Sequence, residues 1–301
     1  MSTLTSLPSD GFGRQRLWYW RGWAIRYSYA QPADMAARQR PPLVLIHGFG
    51  ASLEQWRSNL SAWANQQPVY ALDLLGFGHS QKPATLLGTQ VWQAQVADFC
   101  RSVVGQPVIL IGHSLGALVA LTVAAAQPAV VKRLVLLTLP LARQELIEGW
   151  IERLSRRMET LFATPILLRP LFKVVRQPWL IRTILSSIYA QPERVDAELV
   201  HSFVRPTLDR GAARTLCYLV KSRTQASFSD TVASLLPQVT VPILLLWGTA
   251  DRVLPLAWTD KIIPLNPRLT YCQIEGGSHC LYDEEPQRLD QELSAGLAAV
   301  A

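Results

Sequence analysis

The sequence predicts an α/β fold: a mostly parallel central sheet flanked by helices, with a helical insertion between two of its strands. Short apolar runs without polar alternation recur at Leu43–Ile46, Val69–Leu72, Val108–Ile111, Leu134–Leu137 and Ile243–Leu246. A strand covered on both faces has no wet side for polar residues, so such runs mark a sheet sandwiched by helices. Small, polar or turn residues follow each run, and helix-compatible stretches follow most. The alternation breaks between about Leu139 and Leu236, a stretch rich in Leu, Ile and Arg and punctuated by Pro165, Pro170, Pro178, Pro192 and Pro206.

Taken in order, the chain opens on an aromatic segment, Leu17 to Tyr29, with Gly22 where a tight turn would fall. Trp23, Ile25, Tyr27 and Tyr29 alternate with Ala24, Arg26 and Ser28, which predicts a β-hairpin with one buried face. A linker follows, Gln31 to Pro42. After the five apolar runs a final run, Leu269–Ile274, leads into Gly276-Gly277, and Glu285 to Val300 closes the chain as a helix with Pro286 in its first turn. This predicts a core formed by 1–138 and 237–301, with 139–236 inserted as a lid of several short helices.

Composition bounds the function. With 301 residues, 49% hydrophobic and 17% charged, the chain buries a substantial core and is not a disordered segment. No run approaches the roughly 18 apolar residues of a membrane span. Met1 to Asp10 is polar, with no apolar signal core, so a cytoplasmic, non-secreted protein is expected. Cys100, Cys217, Cys272 and Cys280 lack metal-ligand spacing and are expected to be reduced thiols. Between Leu141 and Ser229 there are 14 Lys+Arg against 8 Asp+Glu, so +6 of the net +7 charge falls in this stretch. Such a segment suits nucleic acid, an anionic lipid surface or an acidic partner. No nucleic-acid motif accompanies it, and no nucleic-acid partner is predicted.

The strongest chemical signal is Gly112-His113-Ser114-Leu115-Gly116, directly after a buried strand and before the helix-compatible run Ala117–Ala126. A nucleophilic hydroxyl must stand clear of the sheet on a sharp turn, and the flanking glycines remove side chains that would clash there. His47-Gly48-Phe49-Gly50 follows the first buried strand. Its candidate role is to present the Phe49 N–H, with the Leu115 N–H, to a tetrahedral oxyanion, where each donor is worth about 2.7–4 kcal/mol of barrier. His47 is read as a loop brace.

Of five histidines, His279 in Gly276-Gly277-Ser278-His279 follows the last strand and comes last, in the order Ser…Asp…His. Asp251 follows the strand Ile243–Leu246 and is the candidate that orients the imidazole. The rival position after Leu134–Thr138 has no carboxylate before Glu145. Asp73, in Asp73-Leu74-Leu75-Gly76-Phe77-Gly78-His79-Ser80, is read as a loop-bracing carboxylate. Asp283, Glu284 and Glu285 are read as helix-start acids facing the macrodipole.

His47-Gly48-Phe49-Gly50, Asp73-x-x-Gly76-x-Gly78-x-Ser80, Gly112-x-Ser114-x-Gly116, Trp247-Gly248-x-x-Asp251 and Ser278-His279 together resemble the α/β-hydrolase superfamily across nearly the whole chain. Within it, an Asp at position 114 would imply a haloalkane dehalogenase or epoxide hydrolase; serine argues against both. Leu72-Asp73-Leu74-Leu75-Gly76-Phe77-Gly78, Ser186-Ser187-Ile188-Tyr189 and the aromatic hairpin are similar to a cyanobacterial and plastid branch that contains the pheophytinases and chlorophyll dephytylases. That resemblance implies cleavage of the phytyl ester of a chlorophyll pigment, and with it peripheral association with a thylakoid-type membrane.

The expected activity is therefore hydrolysis of a carboxylic ester of a hydrophobic substrate through an acyl-enzyme on Ser114, without metal or organic cofactor. Leu161, Phe162, Leu167, Trp179, Leu180 and Ile184 are the candidates to line the lid side of its site. Burying each CH₂ of a phytyl or acyl tail is worth about 0.8 kcal/mol. Interspersed Arg169, Lys173, Arg176 and Arg182 would rest on anionic headgroups. Two other readings use the same residues: carbon–carbon hydrolysis or cofactor-free peroxidase-like chemistry on the triad, and a non-catalytic ligand-binding homologue.

Overall fold

The computed structural model describes residues 12–146 and 165–298, with the side chains of 146, 165–169 and 297–298 outside the description. Eight strands form one sheet in the order β1-β2-β4-β3-β5-β6-β7-β8. The strands are β1 Arg14–Trp20, β2 Trp23–Ala30, β3 Leu43–Ile46, β4 Val69–Leu72, β5 Val108–His113, β6 Val131–Leu137, β7 Ile243–Gly248 and β8 Leu269–Ile274. From β4 to β8 every pairing is parallel; β1 and β2 join antiparallel at one edge. The five apolar runs and the final run Leu269–Ile274 are thus six sheet strands, the last of them half-exposed at the sheet edge.

The sheet is covered on both faces. On one side the helices Thr89–Phe99 and Leu115–Ala126 pack Trp92, Val96, Leu118 and Leu121 against Val44, Leu110 and Leu134. On the other, Leu43, Leu45, Ile111 and Leu246 meet Trp56, Leu60, Leu289 and Leu293. The last two lie on the closing helix Pro286–Ala298, which begins one residue after the predicted start.

The hairpin turns at Arg21 and Gly22, both at positive φ (49° and 85°), as a two-residue turn between twisted strands requires. Its alternation is not simply one face in and one out. Ile25, Arg26, Tyr27 and Ser28 are all buried. Arg26 is inside because Asp73 and Glu54 pair with its guanidinium, at 2.6 and 3.0 Å. Partners distant in sequence override the local pattern.

Between β6 and β7 lie the helices Pro165–Val175, Pro178–Ile188, Ala197–Val204 and Ala212–Arg223. They do not merely cap the molecule. Ile181, Leu185, Tyr189, Leu199 and Val200 belong to the apolar cluster on the second face of the sheet, and a fully buried side chain of this size contributes roughly 1.5–3 kcal/mol. Arg57 ties this region down: it donates to Asp283 through Nε and Nη2 and to Asp196 through Nη1, at 2.8–3.0 Å. Asp283 and Glu284 do stand in the first turn of the short helix Leu281–Glu284, but side-chain and backbone partners more than the macrodipole hold them there. Both are buried, and Asp283 also accepts from Ser58 and from the Tyr189 hydroxyl.

Candidate active site

The C-terminal ends of β3, β5, β7 and β8 bring four loops together. At the first helical turn after β5, Ser114 sits at φ 51°, ψ −118°. A non-glycine residue held there stores about 1–3 kcal/mol of strain, and the surroundings hold it. The Ser114 N–H donates to the Leu137 carbonyl at 3.0 Å. A Cβ on Gly112 would lie 2.2 Å from the Gly116 carbonyl oxygen, and one on Gly116 would lie 2.3 Å from that of Ile46. Only glycine at both positions lets the helix start press onto β3.

Asp251 follows β7 and His279 follows β8. His279 Nδ1 donates to Asp251 Oδ2 at 2.9 Å, and the Val253 and Leu254 N–H groups hold Oδ1 at 2.8 and 2.9 Å. The neutral imidazole then carries its proton on Nδ1 and leaves Nε2 as a base. The two loops are fastened backbone to backbone. Ala250 N–H donates to the Gly277 carbonyl at 2.9 Å, and a Cβ on Gly248 would lie 2.1 Å from that oxygen. Among the described residues the Ser114 hydroxyl makes no hydrogen bond.

His279 is braced from further positions that its motif does not include. His113 is buried beside His279, their rings 4.7 Å apart. Burial, and then the neighbouring His279, hold its imidazole well below the ordinary histidine value, so it stays neutral. It contacts the His279 carbonyl through Nε2 at 2.9 Å, which makes Nε2–H the donor. On the other side Ser278 donates to Glu284 and accepts from the Cys280 N–H. The place of His113 next to Ser114 is a signal in the motif itself, but nothing local points to its partner 166 residues away.

On the oxyanion side, the N–H groups of Phe49 and Leu115 have no acceptor among the described residues. His47 braces this loop as expected: Leu74 N–H donates to its Nε2 at 3.1 Å, and its Nδ1 donates to the Gly48 carbonyl at 2.8 Å. Asp73 is likewise structural. Burial opposes its charge, but Arg26, His47 and the Leu53 N–H more than offset this and hold its carboxyl below the usual range. Glu145 accepts from the N–H groups of Ala142, Val232 and Ala233, away from His279.

An apolar cavity of about 90 Å³ opens beside Phe49, walled on the insertion side by Phe172, Phe203, Leu216 and Leu219. Of the lid residues singled out by sequence, Leu161 and Phe162 lie outside the described residues, as does the side chain of Leu167. Trp179 and Ile184 do not line this cavity. They are 63% and 42% exposed because their helix turns Ile181 and Leu185 inward, and Leu180 is only partly covered. Spacing along the helix decides which apolar residues face the core.

The order of these loops and the sheet topology define a hydrolase scaffold. The chain belongs to the alpha/beta hydrolase family, whose model matches residues 43–292. It is similar to the uncharacterized hydrolase YugF of Bacillus subtilis (strain 168), 24% identical over 85% of this chain and 89% of that one. Epoxide hydrolase 3 of Xenopus tropicalis is 25% identical over 95% of this chain and 78% of its own. Among solved structures, that of a membrane phospholipase A superposes with a TM-score of 0.75 at 26% identity, covering 95% of this chain and 86% of the other.

Proposed function

We propose that the protein is a serine ester hydrolase acting on a substrate with a long apolar tail. The observation that carries this is the His279–Asp251 pair at 2.9 Å on the same end of the sheet as a strained, helix-starting Ser114. In this mechanism Ser114 Oγ attacks the ester carbonyl while His279 Nε2 takes its proton. The Phe49 and Leu115 N–H groups hold the developing oxyanion. Collapse of the tetrahedral species breaks the bond to the alcohol oxygen, which takes the proton from His279 as it leaves. Water, deprotonated by the same imidazole, then releases the acid from the acyl-enzyme. Asp251 steadies the imidazolium throughout.

The apolar cavity beside Phe49 supports a hydrocarbon tail, and the membrane phospholipase A among the similar structures is compatible with a lipid-like ester. A phytyl ester of chlorophyll or pheophytin belongs to this class on sequence resemblance alone. Exposed Leu171, Val174 and Trp179 around Lys173, in the basic insertion, support peripheral contact with an anionic membrane. Among the described residues no helix is long and apolar enough to cross one.

A fluorophosphonate probe should label the wild type and not Ser114→Ala. Graded acyl esters, chlorophyll and pheophytin, assayed for released alcohol, then rank the substrates. An unlabelled Ser114 would sink the reading in favour of a non-catalytic binder. Labelling without turnover of any ester would favour carbon–carbon hydrolysis.

A further inference from the structure

A second cavity, of about 310 Å³, adjoins the apolar one, and Phe172, Thr207 and Ala212 line both. Arg176, Arg210 and Arg214 stand on its wall. Among the described residues none of the three side chains forms an ion pair or hydrogen bond. Asp209 is the one carboxylate on that wall, and it is already engaged: its Oδ2 takes His79 Nδ1 at 3.0 Å and Lys82 Nζ at 3.3 Å. Three arginines therefore line one shared space, with no anionic partner for their side chains among the described residues.

One of them is also badly placed for the helix that carries it. Arg214 is the third residue of Ala212–Arg223, whose first turn has no acid. A cation there opposes the positive end of the helix dipole, and like charges converging on a cavity repel one another. An anion between them reverses both terms. The planar forks of Arg favour a tetrahedral oxyanion group they can bind through two N–H groups at once.

We propose that this cavity is a phosphate subsite, and that the substrate is an amphiphile whose hydrocarbon tail lies in the apolar cavity and whose phosphate ester is held by Arg176, Arg210 and Arg214. The proposal deepens the ester-hydrolase reading and rests on it for the substrate's reactive bond. Two sources supply the same chemistry: a phospholipid headgroup presented by a membrane, and a soluble phosphorylated ester.

The test is a binding measurement on the full chain carrying Ser114→Ala, so that its outcome is independent of turnover and of labelling at Ser114. Decyl phosphate and decanol are titrated by calorimetry. Decyl phosphate is expected to bind at least about tenfold tighter. Arg176→Gln/Arg210→Gln/Arg214→Gln should abolish that preference. A charge-matched control, Arg40→Gln/Lys132→Gln/Arg268→Gln on other exposed surfaces, should keep it. Displacement of decyl phosphate by inorganic phosphate supports the site and assigns a soluble ester. Resistance to displacement, with retention on phosphatidylcholine vesicles doped with dihexadecyl phosphate, supports it and assigns a lipid headgroup. Equal binding of the two decyl probes by the parent chain, or a preference that survives in the first triple variant, overturns the proposal. So does equal loss in both triple variants, which would reduce the effect to net charge.

Discussion

His113 Nε2 lies 2.9 Å from the carbonyl oxygen of His279, so the residue before the candidate nucleophile holds the backbone of the candidate base. This bond crosses from β5 to the loop after β8 and so ties the segment that carries Ser114 to the one that carries His279.

His113→Phe should therefore act through position. Ring packing against His279 and Tyr282 is kept, while the donor to the His279 carbonyl is lost. The expected result is a fall in kcat of about 10²-fold, the scale set by an ångström of misplacement, with little change in KM. His113→Gln should recover part of it. A fall confined to KM would place His113 in substrate binding instead.

Asp251→Asn should lower kcat by about 10⁴, because the amide favours the wrong imidazole tautomer. Glu145→Gln should leave kcat within a few-fold, since Glu145 is occupied by three backbone N–H groups of its own neighbourhood. Parallel kinetics on the two variants check this, and a crippled Glu145→Gln would move the acid to the loop after β6.

Acid should unfold the protein in two stages. His47 and His113 are held neutral by burial, below the ordinary value of 6.5. The unfolded chain therefore binds more protons, and stability declines as pH falls below 6.5 toward the folded-state values. Asp73 is held below its ordinary 3.8. Its contribution is complete above 3.8 and is lost as pH falls from there through the lowered folded-state value. Urea midpoints across pH 3 to 8 check the sequence of losses, and midpoints flat from pH 7 to pH 5 would contradict the histidine part. Asp73→Asn should cost about 3–5 kcal/mol at neutral pH by leaving Arg26 buried beside a neutral amide.

Arg57→Gln should loosen the insertion before it unfolds the sheet. The side chain bridges Asp283 of the core to Asp196 of the insertion, so its loss frees Pro178–Ile188 and Ala197–Val204 from the base-bearing loop. Hydrogen exchange in those helices should rise by at least about tenfold, with β5 and β7 unchanged. Uniform acceleration would mean Arg57 supports global stability only.

Strands β3 to β7 were legible because the burial of each is written in its own four to seven residues. The Ser114 turn was legible for a similar reason, since strand, glycines and helix are contiguous. Arg26, Asp283 and His113 were not legible. The reason for their burial lies on partners 47, 226 and 166 residues away, and a local pattern has no term for such pairings. Trp179 and Ile184 illustrate the opposite failure. Hydrophobicity marked their helix, but only packing decided that Ile181 and Leu185 are the residues turned inward.

The contact between Gly248 and Gly277 makes the loops that carry Asp251 and His279 a single mechanical part. Because Ala250 is bonded to Gly277 and no methyl group fits at position 248, displacing one loop drags the other. Asp251 and His279 thus keep their mutual alignment while the neighbourhood shifts. For anyone transplanting this site into another sheet, the segments 248–251 and 276–279 form the smallest portable module, and either one alone would arrive without the surface it is cast against.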